Sequence, residues 1–155
     1  QLMSTAHRVI DGIQYVGKSK TGRKVTRYKL ENNNEENIIY KACHINHPSS
    51  VWVRDNAYNY IWLYQMWHFL HEEFKIRYGK DHKSYVVLKD LLRSPPKNIP
   101  LNIPFHQPTQ AMPDDVKNED SITAYRDYYI KYKNSFATWK TSIPEWYSEG
   151  MNANI

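Results

Sequence analysis

The stretch His44-Ile-Asn-His47-Pro48-Ser-Ser-Val-Trp-Val-Arg54-Asp-Asn56-Ala-Tyr-Asn-Tyr60-Ile-Trp-Leu-Tyr-Gln-Met-Trp-His68-Phe-Leu-His71-Glu-Glu-Phe-Lys-Ile-Arg-Tyr78-Gly79 decides the fold. From Asn56 the chain runs more than twenty residues without Gly or Pro. Tyr60, Leu63, Trp67, Leu70 and Phe74 recur at alternating spacings of three and four, which is one face of a helix. A second set, Tyr58, Trp62, Met66 and Phe69, falls on a neighbouring face, and a helix apolar on two sides is expected at the centre of a bundle. His68, His71, Glu72 and Lys75 form a narrow polar strip expected to face a cleft or solvent. Gly79 supplies the left-handed residue that ends many helices.

The lead-in predicts an elbow. Pro48 suits a first helical turn and forces His47 out of helical geometry. Ser49 to Arg54 then reads as a short helix broken near Asp55, with Asn56 as the N-cap of the long one. His44, Asn46, His47 and Arg54 surround this bend, which is the strongest site candidate in the chain.

The chain's 155 residues suit one domain, expected to carry a frayed tail at 148–155. Thirteen tyrosines and five tryptophans predict an amphipathic core whose polar edges need partners. A formal charge of +5 favours an anionic partner. Nucleic acid ranks ahead of membrane, because no long apolar run or amphipathic basic helix is present. Cys43 is the single cysteine, so no internal disulfide can form, and no signal-peptide pattern opens the chain; an intracellular setting is expected. The opening residues, with Leu2, Met3, Ala6, Val9 and Ile10 at helical spacing and no capping residue before them, suggest that a helical segment precedes Gln1.

Outward from the central stretch, Ile13–Val16 and Lys24–Leu30 flank a Gly-containing loop and predict a β-hairpin. Lys18, Lys20, Arg23, Lys24, Arg27 and Lys29 populate it without an acidic residue between Lys18 and Lys29. Two readings stand side by side: a solvated hairpin, or cations that track a phosphate backbone beside Tyr15 and Tyr28. Residues 31–36 form a polar connector, and 38–43 a short apolar segment of ambiguous type. Ser84–Arg93 predicts a short helix with Ser84 or a residue just before it as cap. Residues 95–113 carry six prolines and predict an extended strap pinned by Ile99, Leu101, Ile103 and Phe105. Ser121 is expected to cap a last helix, Ile122 to Trp139. Its stripe of Tyr125, Tyr128 or Tyr129, Tyr132, Phe136 and Trp139 would pack on the central helix, leaving Arg126, Lys131, Lys133 and Lys140 off the stripe. Pro144 to Tyr147 is expected to fold back on the core.

Chemical motifs are sparse. His44 with His47, and His68 with His71 and Glu72, have spacings compatible with a metal site. Hydrogen bonding at a helix entry or along a polar strip explains them more simply, so neither metal nor other cofactor is expected. Cys43 beside His44 is no nucleophile pair, because adjacent side chains rarely aim at each other. Phosphate-binding glycine loops, dinucleotide fingerprints, hydrolase elbows and zinc-deaminase signatures are missing.

Several strings together resemble a family of small uncharacterised proteins of tailed bacteriophages: His44 to Arg54, Asn59-Tyr60, Trp62-Leu63-Tyr64, Arg77 to Lys80, Gln110-Ala-Met-Pro-Asp114 and Tyr125-Arg-Asp-Tyr-Tyr-Ile130 with Trp139. The resemblance covers most of the chain and implies the cytoplasm of an infected bacterial host. A more distant similarity links the pattern to pyrimidine-dimer DNA glycosylases of the endonuclease V type. It implies DNA contact by the elbow at Asn46 and His47 and by Arg54 and Arg126. The amine and glutamate that serve those enzymes have no counterpart here. The expectation is a mainly α-helical bundle around a central long helix, with one basic hairpin and a proline-rich strap. Its expected function is DNA binding, with glycosylase or AP-lyase repair chemistry as an extension. The alternatives are a non-enzymatic phage accessory or host-interaction protein, and a nucleotide-binding protein. Oligomeric state is left open.

Overall fold

A computed structural model describes residues 1–153 and is half helical, with a single two-stranded hairpin. The chain divides into two compact units, Gln1–His106 and the residues from Gln107 onward.

In the first unit, α1 (Leu2–Asp11) precedes β1 (Ile13–Lys18) and β2 (Lys24–Lys29), then α2 (Asn33–Ile38), α3 (Pro48–Asp55), α4 (Ala57–Tyr78) and α5 (Lys83–Leu88). The long helix follows its local chemistry at both ends. The Asn56 side chain accepts the Asn59 N–H, and Gly79 sits at φ 65° with its N–H on the Lys75 carbonyl. The core gathers Met3 and Ala6 of α1, Trp52 and Val53 of α3, and Tyr60 and Leu63 of α4, with Leu88, Leu92 and Ile99 closing over them.

Only the first half of α4 is central. Beyond Leu63, His71 is its one fully buried residue, while Met66, Phe69, Leu70 and Ile76 are exposed. This corrects the expectation of a helix enclosed on two sides, since α5 covers one flank of the second half and leaves the other open. Of the polar strip expected to face a cleft or solvent, His68 and Lys75 are exposed and buried His71 lines a cleft beside α5.

Arg8 organises the N-terminal elements. Fully buried, it donates to the carbonyls of Tyr28 (3.0 Å), Glu36 (2.9 Å), Ile39 (2.5 Å) and Tyr40 (2.7 Å) and to the Glu36 carboxylate (2.5 Å). One guanidinium thus ties α1 to the hairpin, to α2 and to the irregular segment after it. The polar connector is therefore partly helical: Asn32 caps α2 by accepting from the Asn34 and Glu35 N–H groups. Burial works to raise the Glu36 carboxyl. Hydrogen bonds from Lys41, the Leu30 N–H and Arg8 outweigh it and hold it at about 2, below the ordinary 4.5.

The helix after Gly79 is shorter than expected, since α5 ends at Leu88 and Ser84 lies inside it, accepting the Tyr40 hydroxyl (2.9 Å). In the strap, Ile99 is buried but Leu101 is 71% exposed, so burial pins only part of it. The Asp11 carboxylate adds polar anchors by accepting from the Lys97 and Asn98 N–H groups.

In the second unit a 3-10 turn (Asp114–Val116) leads to α6 (Ser121–Tyr128), a π-helical turn (Tyr129–Lys133) and α7 (Glu145–Ala153). Asp120, not Ser121, is the cap, accepting from the Ile122 and Thr123 N–H groups. The expected helix to Trp139 stops after the π turn, and Tyr125, Tyr129, Tyr132 and Phe136 remain exposed. Trp139, Trp146 and Tyr147 cluster edge to face. The tail expected to fray from 148 is helical through Ala153; its last two residues lie outside the described ones.

Candidate nucleic-acid interface

The hairpin presents Lys18, Lys20, Arg23, Lys24 and Lys29 exposed, with Arg27 half-buried. Its register pairs Ile13 with Lys29, Tyr15 with Arg27, Gly17 with Val25 and Lys18 with Lys24. Opposed residues share a face, so Arg27 and Lys29 stand on one side of the ribbon and Lys18 and Lys24 on the other. Lys20 and Arg23 occupy the connecting turn, closed by the Ser19 N–H on the Arg23 carbonyl and made possible by Gly22 at φ 81°. Gly17 lets Arg27 cross the neighbouring strand, since a Cβ there would stand 3.0 Å from the Arg27 Cγ.

No ion pair joins these hairpin cations to a carboxylate among the described residues. Lys18 directly opposite Lys24 is an unfavourable pairing that an anion would relieve. Ile13, Tyr15 and Val16 are exposed on the same ribbon. Charge and apolar surface are therefore presented together, without a covering layer.

The elbow is held by the residues proposed to contact DNA. His44 takes a left-handed φ of 49°, and its carbonyl accepts the His47 N–H at 3.0 Å. His47 Nδ1 accepts the Ser49 N–H at 3.2 Å, so the ring caps α3 with its proton on Nε2. Half-buried Arg54 donates to the carbonyls of Ile45 (2.5 Å) and Ser50 (3.0 Å). Asn46 and the ring of His44 are exposed beside them. The structure brings these four together, with His47 and Arg54 engaged in maintaining the bend. Arg126 belongs to the second unit, where its guanidinium lies 5.5 Å from the centre of the Trp146 ring.

Two histidine clusters have partners that the sequence reading did not name. His106 Nε2 sits 2.8 Å from Asp55 Oδ2 and 3.0 Å from Asn59 Nδ2, over the edge of Trp52. His71 Nε2 sits 3.0 Å from Asp81 Oδ1 with its ring stacked on Tyr85, and His68 Nδ1 meets the Tyr85 hydroxyl at 2.5 Å. Among the described residues no three His, Cys, Asp or Glu side chains gather where they would hold one metal ion, and no helix is long and apolar enough to cross a membrane. Compared with known protein families, curated proteins and solved structures, the chain matches none.

Proposed function

We propose that the protein binds DNA, with the hairpin as its principal contact. The observation that carries this reading is the ribbon of Lys18, Lys20, Arg23, Lys24 and Arg27, which lacks carboxylate partners among the described residues and opposes two lysines across one ladder. A two-stranded ribbon fits the width of a B-DNA major groove, and lysines on both of its faces reach the phosphates of both walls. The elbow adds Asn46 and the exposed edge of His44. His47 and Arg54 act by keeping the bend in shape. In this reading the duplex is that of an infected bacterial cell, following the resemblance to tailed-bacteriophage proteins. The elbow's commitment to turn geometry favours binding over glycosylase or lyase chemistry at that position.

Fluorescence anisotropy with a labelled duplex tests the proposal. Affinity is expected to fall with salt, with a log–log slope of roughly −3 to −4 for about four ribbon phosphates. Replacing Lys18, Lys20, Arg23 and Lys24 together by Gln should remove most of that slope. Binding that is undetectable at low salt, or that ignores salt, overturns the proposal. Salt-insensitive self-association would favour the accessory or host-interaction reading instead.

A further inference from the structure

Along α4, Trp62, Met66, Phe69, Glu73 and Ile76 follow one another at spacings of four, three, four and three. That is the rhythm of a coiled-coil seam, the line one helix presents to another. Its far part is bare: Phe69 and Ile76 are each 70% exposed and Met66 is 44% exposed. At the near end half-buried Trp62 packs against Trp52 and Phe105. The short helix α5 lies behind α4, where Tyr85 meets Trp67, His68 and His71 and the Tyr64 hydroxyl donates to the Lys89 carbonyl. At about 100° per residue, those contacts fall on the side of α4 turned away from Phe69 and Ile76. Apolar residues scattered singly over a surface are ordinary, whereas a row of them at this spacing marks a contact surface.

The charges beside the seam select its occupant. Glu73 and Arg77 lie along one flank, joined at 2.5 Å, and Glu72 and Lys75 along the other, joined at 3.3 Å. Each flank therefore runs from acid to base in the chain direction. A parallel copy of α4 would set unlike flanks side by side at one height, bringing Glu73 to Glu72 and Arg77 to Lys75, like charge against like. An antiparallel copy sets each flank against itself in reverse. Glu73 then faces Arg77 of the second copy, and Glu72 faces its Lys75, about a two-fold axis level with Phe74. Such a crossing carries Phe69 to the level of Gly79 of the second copy, where nothing stands within 4 Å of the place a side chain would take. Two acids and two bases leave the strip without net charge, so it favours neither a strongly acidic nor a strongly basic partner.

We propose that the open half of α4 is a self-association surface on which a second copy of this chain docks antiparallel, seam to seam. Two-fold closure stops the assembly at a dimer. The seam is short, so the pair falls among interfaces that bury less than about 1,200 Å² in total, and a dissociation constant of about 10–100 μM is expected. Neither the hairpin nor the elbow takes part, and the surface stands whether or not the ribbon binds DNA. Its exposed charged flanks make this association salt-dependent, unlike the salt-insensitive kind that favours a host-interaction role.

Sedimentation equilibrium on the full chain, at concentrations up to about 0.5 mM, tests the pairing. A reversible monomer–dimer equilibrium is expected, weakening severalfold as salt rises from about 0.05 to 0.5 M. Phe69→Lys combined with Ile76→Lys alters two mostly exposed positions, so the far-UV circular dichroism should hold while the dimer disappears. Two charge variants, Glu72→Lys with Glu73→Lys and Lys75→Glu with Arg77→Glu, should each stay monomeric alone and dimerise when mixed. Damaged folding could not produce that rescue. Direction is read by electron–electron distance between nitroxides on Ile61→Cys, placed in a Cys43→Ser background because Cys43 is a free thiol. The antiparallel crossing separates the two labels by about 26 residues of helical rise, roughly 40 Å, whereas parallel helices hold them within about 20 Å. A chain that stays monomeric throughout, a double-lysine variant that dimerises like the parent, or a mixture no more associated than its components overturns the pairing. So does association indifferent to salt, or a short distance between labels. None of these samples contains DNA, so they succeed or fail separately from the duplex assay.

Discussion

Replacing Glu36 by Gln is expected to cost the first unit about 3 kcal/mol at pH 7, and to erase that cost in acid. Arg8 is fully buried, and although four carbonyls receive its N–H groups, only the Glu36 carboxylate neutralises it. Removing one partner of such a pair costs about 3–5 kcal/mol, because the other charge is left buried and uncompensated. An independent figure comes from the carboxyl itself. A fall from 4.5 to about 2 on folding corresponds to roughly 3 kcal/mol at ~1.4 kcal/mol per pH unit. The sign is that of a depressed acid: the contribution is complete above pH 4.5 and disappears as pH falls from 4.5 to about 2. Gln keeps an oxygen for the Leu30 N–H, now at 2.9 Å, so the lower end of the range applies. Urea unfolding followed by far-UV circular dichroism at pH 7, 5 and 3 measures the effect. The parent and E36Q curves should stand about 3 kcal/mol apart at pH 7 and draw together by more than 1 kcal/mol at pH 3. A gap below about 1 kcal/mol at neutral pH, or an equal gap at both ends, would refute the assignment of Glu36 as the counter-ion of Arg8.

Three further outcomes are expected. Asn56→Ala removes the acceptor for the Asn59 N–H and should lower the urea-unfolding free energy by about 1–2 kcal/mol, whereas an unchanged midpoint would show that α4 needs no cap. Lys24→Gln separates stability from binding. Relief of the opposition with Lys18 should leave the melting temperature unchanged or raise stability by about 0.2–1 kcal/mol, while the salt slope of duplex binding drops by about 1. Burial holds His7 below its ordinary 6.5, against the opposing pull of Asp11 and a backbone hydrogen bond at Ser94. The unfolded chain therefore takes up this proton first, so stability should rise as pH climbs from the depressed folded value toward 6.5. In His7→Gln, that slope should flatten in melting curves recorded from pH 5 to 7.

The parts of this protein that its sequence alone determined are those whose causes are local. Asn56 and Gly79 bound the long helix because a cap and a left-handed residue act on the backbone within one turn, and α4 begins and ends where they stand. Two β-branched, aromatic runs around Gly22 made the hairpin readable for the same reason. Local rules failed where their signal was weak or unmarked. Residues 33–38 form a helix with no apolar stripe, and the helix before Trp139 ends without a Gly or Pro to announce it.

Tertiary structure alone decided what depends on partners distant along the chain. Nothing local in the sequence marks Arg8, yet its guanidinium is consumed by groups 20 to 32 residues away. His71 reads as part of a strip facing a cleft or solvent, and only the placement of Tyr85 and Asp81 decides that it lies buried. Leu70, on the same predicted apolar stripe as Leu63, is left open while Leu63 is buried. The periodicity of a helix says which residues share a face, but only the placement of the neighbouring elements says how much of that face is covered.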